Sequence, residues 1–152
     1  MNTQAKYRPE RVFNGSWSTL WVDDEEMGEA TACEAKLSLE KTEVNQTGTL
    51  FKGYKVTGVD GKGSIKMNKV SSYFISKLSD NISNGKTTVA QIRSKMEDPD
   101  AAGAEDILLT GVTFDEVELV NWESKKLAEE NIPFSFTGFE ILETVNHSDA
   151  MA

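Results

Sequence analysis

The sequence predicts a mainly β domain, an antiparallel β-sandwich or barrel with one helix packed on its flank. Several segments alternate apolar and polar residues with a period of two, which is typical of strands with one solvated face. Only one segment places apolar residues at helical spacing. Short connections between successive β segments favour antiparallel pairing. With 152 residues, the chain has the size of one domain built around one core.

The two ends of the chain are expected to lie outside this domain. Residues 1–16 include Pro9, Asn14 and Gly15 and show no periodicity, so we interpret them as an N-terminal arm. The β domain then spans 17–145, and the polar residues 146–152 are expected to form a flexible tail.

The clearest strand pattern begins at Cys33, where apolar residues occupy the odd positions as far as Leu39. The polar residues between them are Glu34, Lys36, Ser38 and Glu40. A second alternating segment follows residue 62, with Ile65 and Met67 facing the core and Ser64, Lys66 and Asn68 facing solvent.

Residues 45–62, NQTGTLFKGYKVTGVDGK, are predicted to form a long glycine-rich loop. Connections longer than about 12 to 15 residues are usually functional or disordered. Disorder fits poorly, because disordered segments are short of aromatic and β-branched residues. We therefore expect this loop to dock on another copy of the chain through its bulky residues, Leu50, Phe51, Tyr54, Val56 and Val59.

A helix is predicted over about 71–84, with Ser71 or Ser72 as its cap and Asn84-Gly85 as its end. The second half of the chain is expected to be β-rich. Its segments are 87–96, 107–120 and 127–142, and Phe134, Phe136 and Phe139 are expected to fill the core.

The net charge of −9, from 25 acids against 16 bases, argues against a protein that wraps nucleic acid by neutralising phosphates. It favours solubility, or a surface that repels DNA. No segment resembles a signal peptide or a membrane span, and the single cysteine cannot form an internal disulfide. Synthesis in the cytoplasm and no stable membrane association are expected.

No catalytic set, metal site or cofactor is predicted. His147 is the only histidine and lies in the polar tail, while Cys33 is expected to behave as a small hydrophobe. Residues 58–64 superficially match a phosphate-binding loop, but a strand follows them where that motif requires a helix. The acidic runs at 23–26 and 97–106 are interpreted as solvated turns.

Several short motifs resemble, in order and spacing, the tail tube proteins of phages with contractile tails, most closely the PBSX-type prophage family. The resemblance spans 20–142. The matching motifs are Asp24-Glu25-Glu26-Met27, Glu34-Ala35, Lys41-Thr42-Glu43-Val44-Asn45, Gly53-Tyr54-Lys55-Val56-Thr57-Gly58, Asp60-Gly61-Lys62-Gly63, Lys69-Val70-Ser71-Ser72-Tyr73-Phe74, Glu129-Glu130-Asn131-Ile132-Pro133-Phe134-Ser135-Phe136 and Phe139-Glu140.

This resemblance implies a structural subunit of a virion tail or phage-like particle, made in the bacterial host cytoplasm. Hexameric rings would stack into a hollow tube that works with sheath, baseplate and terminator proteins and meets DNA only in transit. Acidic residues lining the lumen would let DNA slide. The candidate lumen residues are Glu34, Lys36, Ser38, Glu40, Ser64, Lys66, Asn68 and Glu118.

Three alternatives remain at this stage. A monomeric β-barrel that binds a small ligand would need an internal cavity. An enzyme could use a pair of facing carboxylates, although no motif favours it. A tube protein similar to those of type VI secretion would assemble in the same way as a phage tail tube.

Overall fold

Eight strands and two helices make up residues 6–152, the part of the chain that the computed structural model describes. They are β1 Ser18–Val22, β2 Glu25–Glu26, β3 Ala30–Val44, β4 Gly53–Asn68, α1 Tyr73–Ser83, β5 Val89–Met96, β6 Glu105–Phe114, β7 Glu129–Phe136, β8 Gly138–Glu143 and α2 His147–Ala150. Two short 3-10 turns, Pro9–Arg11 and Gly15–Trp17, precede β1. The mainly antiparallel β fold with a flanking helix, as predicted, is confirmed.

The strands form one continuous antiparallel sheet in the order β2-β1-β5-β6-β7-β4-β3, with β8 also paired to β6. One edge of β6 is shared, because its last two residues pair with β7 and its first half pairs with β8. The chain passes between these two strands at Thr137. There Gly111 has φ +62°, and a Cβ on it would lie 2.0 Å from the Thr137 Oγ1. This corner allows the sheet to bend around a single core.

The core draws side chains from both halves of the bent sheet and from α1. Its fully buried large side chains are Phe74, Phe134, Ile65, Ile92, Ile132, Val22 and Val112. The ring of Phe74 packs edge-on against Phe114, with 5.3 Å between the ring centroids. Phe136 is buried as predicted, but the core placement of Phe139 is wrong. Phe139 lies on β8 opposite Leu109 and is about half exposed.

Helix α1 lies inside the predicted range 71–84 and buries Phe74 and Leu78 against the sheet. Ser72 occupies the N-cap position, but its side chain makes no capping hydrogen bond. The helix ends at Ser83 with Asn84 as its C-cap, and Gly85 takes the left-handed conformation, φ +69°, that favours glycine after a helix.

Two predicted boundaries need correction. The strand expected over 107–120 ends at Phe114, and the strand expected over 127–142 is divided by the corner at Thr137. The tail residues 146–152 include the short helix α2, which begins because the Asn146 side chain accepts hydrogen bonds from the backbone N–H groups of Ser148 and Asp149.

The strands run between two distinct ends of the sheet. At one end, here called the arm end, Ser18, Met96 and Glu105 lie side by side. The arm residues 6–16 lie here, and the Asp98 side chain accepts a 2.9 Å hydrogen bond from the Asn14 backbone N–H. At the other end, here called the helix end, α1 is tied to the β1–β2 turn by an ion pair between Lys77 and Asp23. Residues 1–5 of the predicted arm lie outside the described residues.

The predicted long loop over 45–62 is wrong. β4 begins at Gly53, and its pairing with β3 forms a long hairpin whose connecting loop is only 45–52. β7 pairs with β4 only from Gly61 onward, so the outer part of the hairpin projects beyond the sheet. Of the glycines that suggested a loop, Gly58 and Gly61 lie within β4, and at Gly61 the neighbouring strand leaves no room for a side chain, because a Cβ there would lie 2.7 Å from the Phe136 carbonyl oxygen.

Candidate assembly surfaces

The projecting hairpin has one apolar face that the subunit itself does not cover. Leu39 pairs with Val59, and Leu37 lies two residues along β3 on the same face. All three side chains are exposed, although this face continues directly into the core face that carries Ile65. A stripe of this kind on an isolated subunit is typical of an interaction surface.

A β-bulge brings two further predicted residues to this apolar face. Between Glu40 and Lys41 the partner on β4 changes from Gly58 to Val56, which leaves Thr57 as the extra residue. The Thr57 hydroxyl lies on the polar face, 2.9 Å from the Thr42 hydroxyl. Without the extra residue, the period of two would direct Val56 and Tyr54 to the polar face.

The five predicted contact residues therefore lie on one projecting element. Tyr54, Val56 and Val59 lie on the apolar face of β4, and Leu50 and Phe51 lie in the tip loop. Phe51 remains 89% exposed, and its backbone N–H donates to the Thr49 hydroxyl. Nothing else in the described subunit covers these side chains.

The opposite face of the hairpin is polar and continues across β7. It carries the predicted lumen residues of β3 and β4, with Glu34 opposite Ser64 and Lys36 opposite Lys62. Lys36 forms a 2.7 Å ion pair with Glu34, and this lysine lowers the pKa of the Glu34 carboxyl. Ser38, Glu40, Lys66 and Asn68 are exposed on the same face, while Ser64 is half-buried.

The charges on this face do not match the expected acidic lining. By strand register, four lysines are balanced there by four acids. They are Lys36, Lys55, Lys62 and Lys66 against Glu34, Glu40, Asp60 and Glu129. Most of the excess negative charge of the chain therefore lies elsewhere, on the loops and at the two ends of the sheet.

Glu118 is not brought to this face. It lies in the segment between β6 and β7, where the Asn121 side chain donates a 3.2 Å hydrogen bond to its Oε2. That segment follows Phe114 and forms part of the helix end of the sheet.

An open cavity of about 600 Å³ lies between β3 and the strands β1, β5 and β6. Its walls are mostly small or apolar, and they include Leu20, Met27, Ile107 and Cys33. Along the cavity, β3 presents the backbone edge that does not pair with β4. The cavity is therefore an opening between unpaired strand edges, unlike the enclosed interior of a closed barrel.

Cys33 is exposed but lines this apolar cavity, and desolvation raises the pKa of its thiol to about 11. A thiol with the ordinary value of 9.0 would form about 100-fold more thiolate at pH 8. A thiolate of higher pKa is also about tenfold more nucleophilic, so we predict that iodoacetamide alkylates Cys33 in the free subunit about tenfold more slowly than an unhindered thiol at pH 8, with a rate that rises up to pH 11. A rate that levels off near pH 9 would show that the cavity does not desolvate the thiol.

Three buried carboxylates were missed by the sequence analysis. Asp98 and Asp106 belong to an acidic run interpreted as solvated, yet Asp98 holds the arm and Asp106 accepts two hydrogen bonds from Arg93. Those bonds lower the pKa of the Asp106 carboxyl. Glu130 is also buried and pairs with Lys69 at 2.6 Å. The local sequence does not indicate that these carboxylates are buried, because the residue that pairs with each of them comes from a distant strand or loop.

No group of three or more histidine, cysteine, aspartate or glutamate side chains in residues 6–152 is arranged to hold a metal ion. Within the same residues, no helix is both long and apolar enough to cross a membrane.

The sequence profile of the phage tail tube protein family matches residues 5–143. The chain belongs to this family. It is 28% identical over 141 residues to the phage-like element PBSX protein XkdM of Bacillus subtilis, covering 91% of this chain and 96% of that protein. The resemblance to the PBSX-type family stated from the motifs is thus confirmed.

Solved structures of contractile injection systems share the fold of this tail tube family member. A chain in the sheath/tube terminator of an extracellular contractile injection system superposes with a TM-score of 0.72 at 8% identity, covering 90% of this chain and 100% of that one. A chain in the sheath–tube complex of the same type of system gives 0.68 at 9% identity, covering 90% and 95%. The mainly antiparallel fold is therefore that of tail tube structures.

Proposed function

We propose that the chain assembles into hexameric rings that stack into the hollow inner tube of a contractile phage tail or phage-like particle. The observation that carries this proposal is the exposed apolar face of the hairpin formed by β3 and β4. Leu37, Leu39, Tyr54, Val56 and Val59 form a continuation of the core that only another molecule can cover.

Two features of the sheet supply the contacts. β3 is an edge strand of 15 residues, long enough to pair with a neighbouring copy and close a ring. The hairpin tip with Leu50 and Phe51 projects past the sheet and reaches the next ring. Ring closure and ring stacking thus use different parts of one hairpin.

In this assembly the polar face of β3, β4 and β7 lines the lumen. Its balanced lysines and acids give a wall with little net charge, which neither binds phosphate strongly nor repels it strongly. Such a wall suits a conduit through which DNA passes, and equally a tube that punctures a membrane without carrying DNA.

The partners of the tube follow from its place in the particle. The solved relatives include chains from a sheath–tube complex, a sheath/tube terminator and a baseplate. We infer that this chain likewise contacts a contractile sheath on its outer side and terminator and baseplate proteins at the tube ends. Its role is structural, without catalysis.

One observation favours a second function. The cavity of about 600 Å³ could hold a small apolar ligand, as a monomeric binding module would require. It opens between unpaired strand edges, however, so assembly would cover the same surface. A tube similar to those of type VI secretion would give the same assembly behaviour.

Sedimentation velocity of the purified full chain across a wide concentration range separates these functions. Assembly predicts a 16.8 kDa subunit that gives way to hexamers and then to larger species as the concentration rises. A binding module predicts one monomeric species throughout, and that result would overturn the proposal.

A further inference from the structure

A second unpartnered surface lies at the helix end of the sheet. The segment between β6 and β7 encloses a cavity of about 290 Å³ lined by Lys69, Glu118–Trp122 and Ala128–Glu130. We call this cavity the acidic cup. Leu119, Val120 and Trp122 around it are all more than two-thirds exposed, which is an unusual concentration of apolar surface for one loop.

Glu130 gives the acidic cup an unsatisfied acceptor. Its side chain is 95% buried, and its Oε1 lies 2.6 Å from the Lys69 Nζ. Its Oε2 is buried and has no hydrogen-bond partner among residues 6–152. A buried carboxylate oxygen without a donor is unfavourable, so a donor from another molecule would stabilise it. Glu118 also lines the cavity, so Glu118 and Glu130 outnumber the single lysine there and make the cavity negative.

The N-terminal arm has the complementary chemistry. Residues 6–12 carry Lys6, Arg8 and Arg11 against the single acid Glu10, in a chain whose net charge is −9. Tyr7 and Val12 add exposed apolar surface between these charges. The hairpin tip, residues 45–52, offers only one cation, Lys52, so the arm matches the acidic cup better in charge.

The arm and the acidic cup lie at opposite ends of the same strands. The arm precedes Ser18 at the arm end of β1, whereas the acidic cup follows Phe114 at the far end of β6. A contact between surfaces at opposite ends of the subunit can join copies head-to-tail and repeat along an axis, which is the geometry that stacked rings require.

We propose that the acidic cup receives the N-terminal arm of a copy in the adjacent ring. An arginine of the arm donates to the carboxylates of the acidic cup, and Tyr7 packs against the exposed Leu119 and Trp122. This inference rests on the proposed tube, and it adds a stacking contact that is independent of the hairpin. It also predicts that ring stacking weakens with salt, because the contact is between opposite charges.

Disulfide cross-linking tests the contact directly. In a Cys33→Ser background, Tyr7→Cys combined with Trp122→Cys is expected to give a ladder of dimers, trimers and longer chains on a non-reducing gel after mild oxidation. Tyr7→Cys combined with Ile82→Cys on α1 is the matched control and should give no ladder. A ladder from Phe51→Cys with Trp122→Cys, but not from the arm pair, would overturn the proposal by placing the hairpin tip in the acidic cup.

A charge exchange provides the second test. Arg8→Glu alone and Glu118→Lys alone should each raise the protein concentration needed for rods at least about tenfold, and the double variant should restore assembly. Rods that form normally in both single variants would overturn the proposed contact while leaving the tube intact. A wild-type chain that forms neither rods nor the ladder would instead overturn the tube, and this inference with it.

Discussion

Replacing Phe51 and Tyr54 together by serine is expected to stop tube growth and to leave the thermal unfolding of the subunit nearly unchanged. Both side chains are exposed in the subunit, Phe51 at 89% and Tyr54 at 61%, so folding does not depend on them. Burying one such aromatic on a neighbour contributes about 1.5 to 3 kcal/mol. Repetition around each ring multiplies that contribution, so losing both anchors should abolish stacking. Light scattering and calorimetry measure the two effects separately.

The matched control removes apolar surface elsewhere. Ile82→Ser deletes a side chain on α1 that is also exposed but lies away from the hairpin, and this variant should form tubes at the wild-type concentration. If the hairpin variant unfolds early, its aromatic residues belong to the subunit core. If it assembles normally, stacking depends on other contacts, of which the arm is the best candidate.

The change Gly63→Ala is expected to destabilise the subunit by about 3 kcal/mol, the upper end of the usual cost of overpacking. A Cβ at this position would lie 2.2 Å from the Glu34 carbonyl oxygen and 2.6 Å from the Phe134 ring. The ring is fully buried and the carbonyl belongs to a paired strand, so neither can move without disturbing the core. Urea denaturation of the purified subunit measures the loss.

Gly58→Ala is the control for this experiment, because Gly58 lies on the same strand. A Cβ there would lie 2.7 Å from the Oε2 at the far end of the flexible Glu40 side chain, which can swing away. We expect little or no loss of stability, because alanine also restricts the unfolded chain. If the two variants lost equal amounts of unfolding free energy, any side chain added at a glycine of β4 would be destabilising, and the contact with Phe134 would not be the cause.

The sequence predicted strands where apolar and polar residues alternate. The alternation from Cys33 to Leu39 identified β3 because its two faces differ in polarity, although both are exposed in the subunit, and the stripe of Phe74 and Leu78 identified α1. The same alternation placed Glu34 and Lys36 on the polar face, where the structure has them exposed.

The sequence failed where pairing between distant strands decides the conformation. Gly58 and Gly61 suggested a loop, because glycine weakens an isolated strand. In the fold, Phe134 and Phe136 from β7 lie across β4 and leave no room for side chains at Gly61 and Gly63. No local pattern reveals that requirement.

Two features of the candidate surfaces also depend on tertiary structure. The bulge at Thr57 moves Val56 and Tyr54 to the apolar face, and its presence follows only from the pairing of β3 with β4. The buried Glu130 is one of two adjacent glutamates that look equally solvated in the sequence. Strand register alone determines which of them faces the core.

Electron microscopy of the purified full chain at high concentration tests directly whether the exposed hairpin makes this chain a self-assembling tube subunit. We expect long hollow rods with an even axial repeat and six-fold end views, lost in the variant that combines Phe51→Ser and Tyr54→Ser. Separate monomers at every concentration, or closed particles that do not extend into rods, would contradict it.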